Sequence, residues 1–375
     1  MMKFLKTILL LLIATAGYAQ VTPAVKAPET PAAPVVQPST LKLGVAGLAH
    51  DHVHNILHDY RDGKVIIVGI AEADKQLRDK YQKLYNLPDS IMFDDLKKMV
   101  TTKKPQAVLG YNPVAKHIDI VELCAPLGIS VMVEKPLAAT LAQAKRMEFL
   151  ALKYYIKLLT NYETTWYPSY QHVYDEVAKD SIGQIRKMVV HDGHQGPKEI
   201  GCSKEFLSWL TDPELNGGGA MIDFGCYGAD LMTWLMKGQK PIAVTAVARH
   251  FKLQTYPKVD DDVTILVEYP TATGIIEASW NWPFGIKDLE VFGDKGYLHG
   301  LDKDNVVTRL HDTTTTLKAA SLVAPANDPS AYLQSVMQNR LLGITDRSSL
   351  KYNMIVMMIL DAAKRSAAEG KRIVL

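Results

Sequence analysis

The sequence predicts an α/β protein: a doubly wound parallel sheet first, then a second α/β domain built on a large, mostly antiparallel open sheet. Three observations carry that expectation. From residue 41 to about 160, continuous β-branched apolar runs alternate with amphipathic stretches, as buried parallel strands with helices on both faces require. Beyond residue 185 the apolar runs become closely spaced and are separated by turn residues, the grammar of antiparallel pairing. The length, 375 residues with 47% hydrophobic and 22% charged side chains, suffices for two cores.

Each element follows in order. The opening "MMKFLKTILLLLIATAGYAQ" has Lys3 and Lys6, an apolar run from Thr7 to Ala16, and small residues at Gly17 and Ala19. That three-part pattern predicts a signal peptide over 1–19 and a periplasmic or secreted mature protein. The run is shorter than the roughly 20 residues a membrane span needs. Residues 20–40, rich in Pro and Ala, read as a linker. In the domain over 41–160, "LKLGVAG" is a strand, followed by a helix carrying Val53, Ile56, Leu57 and Tyr60. "KVIIVGIAEAD" is the second strand, ahead of a helix through Tyr81 to Leu87, and "PQAVLGYNP" and "ISVMVEKP" are the third and fourth.

In the C-terminal domain over 161–350, the strands are "RKMVVHDG", "PIAVTAVARHF", "DVTILVEYP", "TGIIEASWNW", "IKDLEVFGD" and "GYLHG". One helix over "AMIDFGCYGADLMTWLM" interrupts them. Residues 351–375 read as a long helix and a final strand that pack back on the first domain. Three cysteines, Cys124, Cys202 and Cys226, form no CxxC pair and allow at most one disulfide. With 42 basic against 40 acidic residues, and no basic block, neither nucleic acid nor an anionic membrane surface is an expected partner.

The chemistry lies at strand ends. Gly44 and Gly47 lead out of the first strand into a turn of the kind that cradles a dinucleotide pyrophosphate, with Ala49 and His52 where further glycines stand in G-x-G-x-x-G. Glu72 ends the second strand, where a carboxylate grips ribose hydroxyls and repels a 2′-phosphate, favouring NAD over NADP. Asn112 and Pro113 end the third strand, and Glu134 and Lys135 the fourth, all at the carboxyl edge where ligands bind. Asp223 and Tyr227, four residues apart, share a helix face; a carboxylate and a phenol suit proton transfer at a carbinol. His194 ends a strand expected to line the substrate cleft. Trp166 belongs to an aromatic group with Tyr162, Tyr167, Tyr170, Trp280 and Trp282 that could stack on a sugar.

His50, His54 and His58 recur at helical spacing. Contact with the cofactor by His50 and His52, or capping of the loop, is the favoured role. No metal site is expected, because no carboxylate at ligand spacing completes the set.

The EKP run, "GGGAMIDFG", "EASW" with "VFGDKGYL", and the tail "AAKRSAAEGKRIVL" together resemble the Gfo/Idh/MocA family, the group of glucose–fructose oxidoreductase and inositol dehydrogenase. The likeness covers Leu41 to Leu375. It implies a Rossmann domain, NAD or NADP, a sugar or polyol substrate and a homo-oligomer. It also implies Lys135 as catalytic and nicotinamide-proximal, Asp223 as a substrate contact, and Tyr227 as acid/base in place of the family's more frequent His. The "LAHDHVH" turn departs from the family's glycine-rich pattern. The expected function is an exported NAD(P)-dependent oxidoreductase acting on a sugar, polyol or glycoside with a tightly held, recycled cofactor. The alternatives are a redox-assisted glycosidase, a cofactor-free or metal-using lyase or hydrolase on the same fold, and a non-catalytic carbohydrate-binding protein.

Overall fold

The computed structural model describes residues 40–375. The expected signal peptide and residues 20–39 of the linker lie outside the described residues. The first sheet is built from β1 (Lys42–Ala46), α1 (Val53–Arg61), β2 (Ile66–Ala71), α2 (Lys75–Tyr85), β3 (Met92–Phe93), α3 (Leu96–Lys103), β4 (Ala107–Gly110), α4 (His117–Cys124), β5 (Ser130–Glu134), α5 (Leu141–Tyr154) and β6 (Leu158–Asn161). Its six strands run in the order 3-2-1-4-5-6 and pair in parallel throughout, the doubly wound arrangement of a Rossmann sheet. That order puts the strand-order reversal between β1 and β4, where a ligand crevice opens at the carboxyl ends. Helix starts follow local chemistry: the Asp74 carboxylate accepts the amides of Gln76 and Leu77 at α2, and Thr140 Oγ1 accepts that of Gln143 at α5.

The second half comprises α6 (Pro168–Ala178), β7 (Ile185–Gly193), α7 (Lys204–Leu210), α8 (Ala220–Asp223), α9 (Gly225–Leu235), β8 (Ala243–Arg249), β9 (Asp262–Glu268), β10 (Thr273–Ser279), β11 (Ile286–Gly293), β12 (Gly296–Gly300), β13 (Asn305–Leu310), β14 (Thr313–Lys318), α10 (Pro329–Met337), α11 (Leu350–Glu369) and β15 (Ile373–Val374). Nine strands form one sheet in the order 14-13-12-11-7-10-9-8-15, antiparallel except where β7 runs parallel to β10. Burial alternates along β9, where Val263, Ile265 and Val267 are buried and Thr264 and Leu266 are not, so one face meets the core and the other stays open.

Two expectations are corrected. The helix over "AMIDFGCYGADLMTWLM" is broken at Phe224 into α8 and α9. The final strand joins the second sheet, where β15 pairs with β8; α11 alone reaches the first domain, touching α5 and β6 as well as α9 and β8. β3, β6, β13 and β14 add to the strands read from sequence. A continuous apolar core runs from one face of the first sheet (Val131, Val133), through α5 and α11 (Met147, Val356, Leu360), to the inner face of the second (Val190, Ile265). The other face of the first sheet is closed by α1, α2 and α10. Cys124, Cys202 and Cys226 are free thiols. Among the described residues no helix is long and apolar enough to cross a membrane.

Candidate functional site

β1 delivers its chain into the turn at Gly47, which sits at φ +84°, a left-handed conformation that favours glycine. A Cβ there would lie 2.7 Å from Asn112 Cβ, so the end of β4 packs directly on the turn. Gly47 N–H donates to Ala71 O at 2.8 Å, Leu48 N–H to Glu72 Oε2 at 2.8 Å, and His50 N–H to Tyr111 O at 3.0 Å, which stitches the turn to β2 and β4. Among the described residues, Ala49 N–H has no protein acceptor. It borders a groove of about 490 Å3 lined by Gly47, Ala49, Glu72, Asn112 and Pro113 on one side and by Glu205 and Ser208 of α7 on the other. Asn112 Oδ1 is buried without a partner. An open cradle at a glycine turn, an unpaired amide and an orphaned acceptor are what a dinucleotide needs, so the residues fit that group.

The histidines leave this groove clear. His50 is buried against Phe206 and Trp209, at ring distances of 4.7 and 5.5 Å. Burial holds its imidazole well below the usual range, and the nearby His52 and Lys135 charges add to this. Its Nδ1 accepts the His52 amide at 3.1 Å, which puts the ring proton on Nε2. His54 and His58 face α2 instead. His54 bonds the hydroxyls of Tyr85 at 2.5 Å and Tyr81 at 3.3 Å, and His58 lies 3.4 Å from the Tyr85 hydroxyl. The three imidazoles expected on one helix face are thus divided, because α1 begins only at Val53.

His52 departs furthest from expectation. Its Nδ1 lies 3.0 Å from Glu134 Oε2 at the end of β5, so a carboxylate does complete a His50–His52–Glu134 cluster, with one ligand atom from each within 4.8 Å of the others. The expectation that no carboxylate joins the histidines is corrected, since the fold brings one from 82 residues away. The existing hydrogen bonds already engage His50 Nδ1, and a neutral His50 protonated on Nε2 offers a cation no free lone pair.

Lys135, the residue just past the end of β5, is buried. Its ammonium lies 2.5 Å from Asp223 Oδ1 and donates to Asp223 O at 3.0 Å, while Trp280 Nε1 donates to Asp223 Oδ2 at 3.0 Å. Burial disfavours both charges, but their mutual attraction outweighs it: Lys135 is held above and Asp223 below its usual range. Asp223 is presented at the end of α8, whose start is capped by Asp260; that carboxylate accepts the amides of Gly219 at 3.0 Å and Met221 at 2.7 Å. Although Tyr227 belongs to α9, its ring centroid is 4.9 Å from Lys135 Nζ, so the helix break still brings Asp223 and Tyr227 to one lysine. Burial, with the carboxylates of Glu163 and Asp192, pushes the Tyr227 phenol well above its usual range.

His194 packs edge-on against Phe224 at 4.9 Å and accepts the Gly196 amide at 2.9 Å. Trp166 is engaged by the protein: its ring packs on Tyr332 at 5.7 Å, and its Nε1 donates to Asn161 Oδ1 at 3.1 Å. Tyr162, Tyr170 and Trp280 are core residues rather than an open stacking wall.

Three charged residues that the sequence reading passed over converge on the same crevice. Asp192 of β7 sits opposite Lys287 of β11 in the sheet register, and burial pushes its carboxyl up to about 8. Lys287 Nζ lies 2.5 Å from Glu163 Oε2 and 4.8 Å from the Tyr227 ring centroid. Alternation along "MVVHD", in which Met188, Val190 and Asp192 are buried and Val189 and His191 half-buried, was the available signal.

Comparison with known proteins agrees with this geometry. Residues 41–162 match the model of an oxidoreductase family with an NAD-binding Rossmann fold, and residues 170–299 match the GFO/IDH/MocA C-terminal domain. A trans-1,2-dihydrobenzene-1,2-diol dehydrogenase of Xenopus laevis is 28% identical over 208 residues, 54% of this chain and 57% of that protein. The chain thus spans a little over half of that relative's length. The Sus scrofa enzyme of the same name is 23% identical over 263 residues, covering 68% and 72%. Among solved structures, an aldose-aldose oxidoreductase from Caulobacter crescentus complexed with glycerol superposes with a TM-score of 0.76 at 20% identity, covering 89% of this chain and 99% of that one. An inositol dehydrogenase homolog from Azotobacter vinelandii complexed with NADH and myo-inositol does so with a TM-score of 0.76 at 15% identity, covering 90% and 98%. With both halves matched in order on the expected fold, the chain belongs to the Gfo/Idh/MocA oxidoreductase family.

Proposed function

We propose that the protein is an NAD-dependent oxidoreductase acting on a carbinol of a sugar, polyol or glycoside. The observation that carries this reading is the buried Lys135–Asp223 pair, set at the end of β5 beside Tyr227, on the same sheet edge as the open groove at Gly47. Gly47 and Ala49 would hold the pyrophosphate, Glu72 the adenine-side ribose, and Asn112 and Pro113 the wall leading to the crevice. When bound, the nicotinamide supplies the hydride acceptor. Lys135 then offers an ammonium, oriented by Asp223, to the substrate oxygen as it gains negative charge.

The groove's charge supports NAD over NADP. Glu72, Asp74, Asp94, Asp95, Asp119 and Glu205 line it against the single cation Lys116, an environment that repels an added 2′-phosphate. In this reading the enzyme is exported, and the wall formed by α7 helps it keep and recycle its dinucleotide. The open face of the second sheet, where Val247, Leu266 and Phe292 stay exposed, would be the homo-oligomer contact.

Mass spectrometry of nucleotide released on denaturation, followed by binding measurements, tests the cofactor. NAD(H) is expected to bind at least ~10-fold more tightly than NADP(H), a difference of about 1.4 kcal/mol. Bound NAD should be reduced by members of a panel of aldoses and polyols. Preference for NADP refutes the cofactor assignment, and no nucleotide binding favours the cofactor-free alternative. Lys135→Met should lower turnover at least ~10²-fold. Because that change strands Asp223, Lys135→Met/Asp223→Asn serves as the folded control, and turnover persisting in both removes Lys135 from catalysis.

A further inference from the structure

We infer that Asp192, beside the Lys287–Glu163 ion pair, forms a subsite for a second hydroxyl of the substrate and confines the crevice to uncharged sugars and polyols. The inference rests on the oxidoreductase reading above and narrows its substrate class.

Two ion pairs meet at the same two rings. Lys135 Nζ lies 4.9 Å from the Tyr227 ring centroid and 5.9 Å from that of Phe224, and Lys287 Nζ lies 4.8 and 5.9 Å from them. Each ammonium already has its own carboxylate, Asp223 for Lys135 and Glu163 for Lys287. The first pair is deep, with both side chains 6% exposed, whereas the Glu163 side chain is 45% exposed and stands at the mouth. The charges cancel in pairs, so neither ammonium is left over for an anionic substrate group. An entering carboxylate or phosphate would instead meet Glu163 and Asp223, and like charges brought together are costly.

Asp192 is the third carboxyl of the crevice. It lies on the inner face of β7 with Met188 and Val190, between Lys287 of β11 and the small Ala278 of β10. The residue is buried, and its Oδ1 has no hydrogen-bond partner. Lys287 stands opposite it in the register but gives its ammonium to Glu163. Burial, against the pull of Lys287 and Lys135, pushes the Asp192 carboxyl up to about 8, so it carries its proton at neutral pH. A protonated carboxyl both donates and accepts, as a sugar hydroxyl does, so the two can pair reciprocally. Such a hydroxyl would satisfy the orphaned oxygen. Substrate filling the crevice displaces further water, which favours the uncharged form of Asp192.

The titratable groups facing Asp192 are Lys287 of β11, Lys135 beyond β5, Glu163 and Tyr167 before α6, Tyr170 of α6, Asp223 of α8, and Cys226 and Tyr227 of α9. Both lysines, the three phenols and the Cys226 thiol are held above their usual values. Glu163 and Asp223 are held below theirs. Of this group, Asp192 alone therefore changes charge between about pH 7 and about pH 9.

Calorimetric titration of the full chain, with NADH present so that no carbinol is oxidised, tests this. The probes are myo-inositol, sorbitol and methyl glucoside, each against its anionic counterpart: inositol monophosphate, gluconate and methyl glucuronide. At least one neutral probe should bind, and its counterpart at least ~10²-fold more weakly. Neutral binding should weaken roughly tenfold between about pH 7 and about pH 9, as Asp192 loses its proton. Asp192→Asn, whose amide donates and accepts but cannot ionise, should remove that pH dependence. Asp192→Leu should weaken neutral binding ~10-fold at about pH 7. An anionic probe that binds as well as its neutral counterpart overturns the proposal. So does a neutral affinity that is flat with pH or unmoved by Asp192→Leu, and so does failure of all three neutral probes to bind. Neutral probes that bind as expected yet never reduce bound NAD refute the oxidoreductase reading instead and leave the subsite standing.

Discussion

Gly47 joins two constraints that no other side chain satisfies: a left-handed φ of +84° and the close approach of Asn112. Gly47→Ala is therefore expected to cost about 1–3 kcal/mol in backbone strain, before any shift of β4 is counted. Nucleotide affinity should fall with it, because the displaced atoms border the groove. Urea unfolding and NAD titration read the two effects, and a variant as stable and as tightly binding as the parent would refute the cradle. At this scale the sequence was most informative where a residue ends a parallel strand: Glu72, Asn112, Glu134 and Lys135 all occupy the sheet's carboxyl edge because strand direction dictates it. His52 was singled out, but its partner was invisible. The Glu134 carboxylate arrives through sheet order, which local spacing does not encode. Asp192 and Lys287 escaped notice because only the register of β7 against β11 makes them opposite one another.

Among the elements, α7 shows how the second domain closes over the first. Ser203 caps it through Oγ to the Phe206 amide at 3.1 Å, and the Ser203 amide reaches back to Asp51 Oδ2 at 3.0 Å. Trp209 Nε1 donates to Ala49 O at 3.1 Å, and Lys80 of α2 lies 3.1 Å from Glu205. The helix thus fastens the turn that borders the groove. Trp209→Phe keeps an aromatic ring against His50 but deletes one hydrogen bond, worth about 0.5–1.5 kcal/mol. NAD release followed by displacement should accelerate by roughly 2- to 10-fold on that scale, with the circular dichroism unchanged. Unaltered release would reduce α7 to a passive wall. Patterning revealed the strands whose two faces differ. It missed β14, "TTTTLK", because that edge strand is exposed along nearly its whole length and carries no alternation. It also sent the final strand to the wrong sheet, since the composition of "IV" cannot choose between two edges when α11 touches both domains.

Across the whole molecule, one buried cation joins the two sheets. The segment before α11 runs along β6, with the Thr160 amide donating to Ser348 O at 3.0 Å. From it, Arg347 Nε donates to Asp230 Oδ2 of α9 at 2.7 Å, and its two terminal nitrogens donate to Thr164 O at 2.5 Å and Thr164 Oγ1 at 2.6 Å. Burial raises the Asp230 carboxyl to about 6 even though Arg347 pulls it down. A folded-state value above the ordinary carboxylate range means that Asp230 costs stability as pH rises from about 4 toward 6, after which the cost is constant. Arg347→Met removes the opposing charge, so the carboxyl rises further and the cost keeps growing above pH 6. The variant should lose about 3–5 kcal/mol at about pH 8 and clearly less at about pH 5, where Asp230 takes up a proton. Arg347→Met/Asp230→Leu should recover most of the loss at both values, because no buried charge remains unpaired. Urea unfolding of both variants at the two pH values decides it: an equal loss for the single variant at each would mean that Arg347 contributes packing against Trp234, 5.3 Å away, rather than charge.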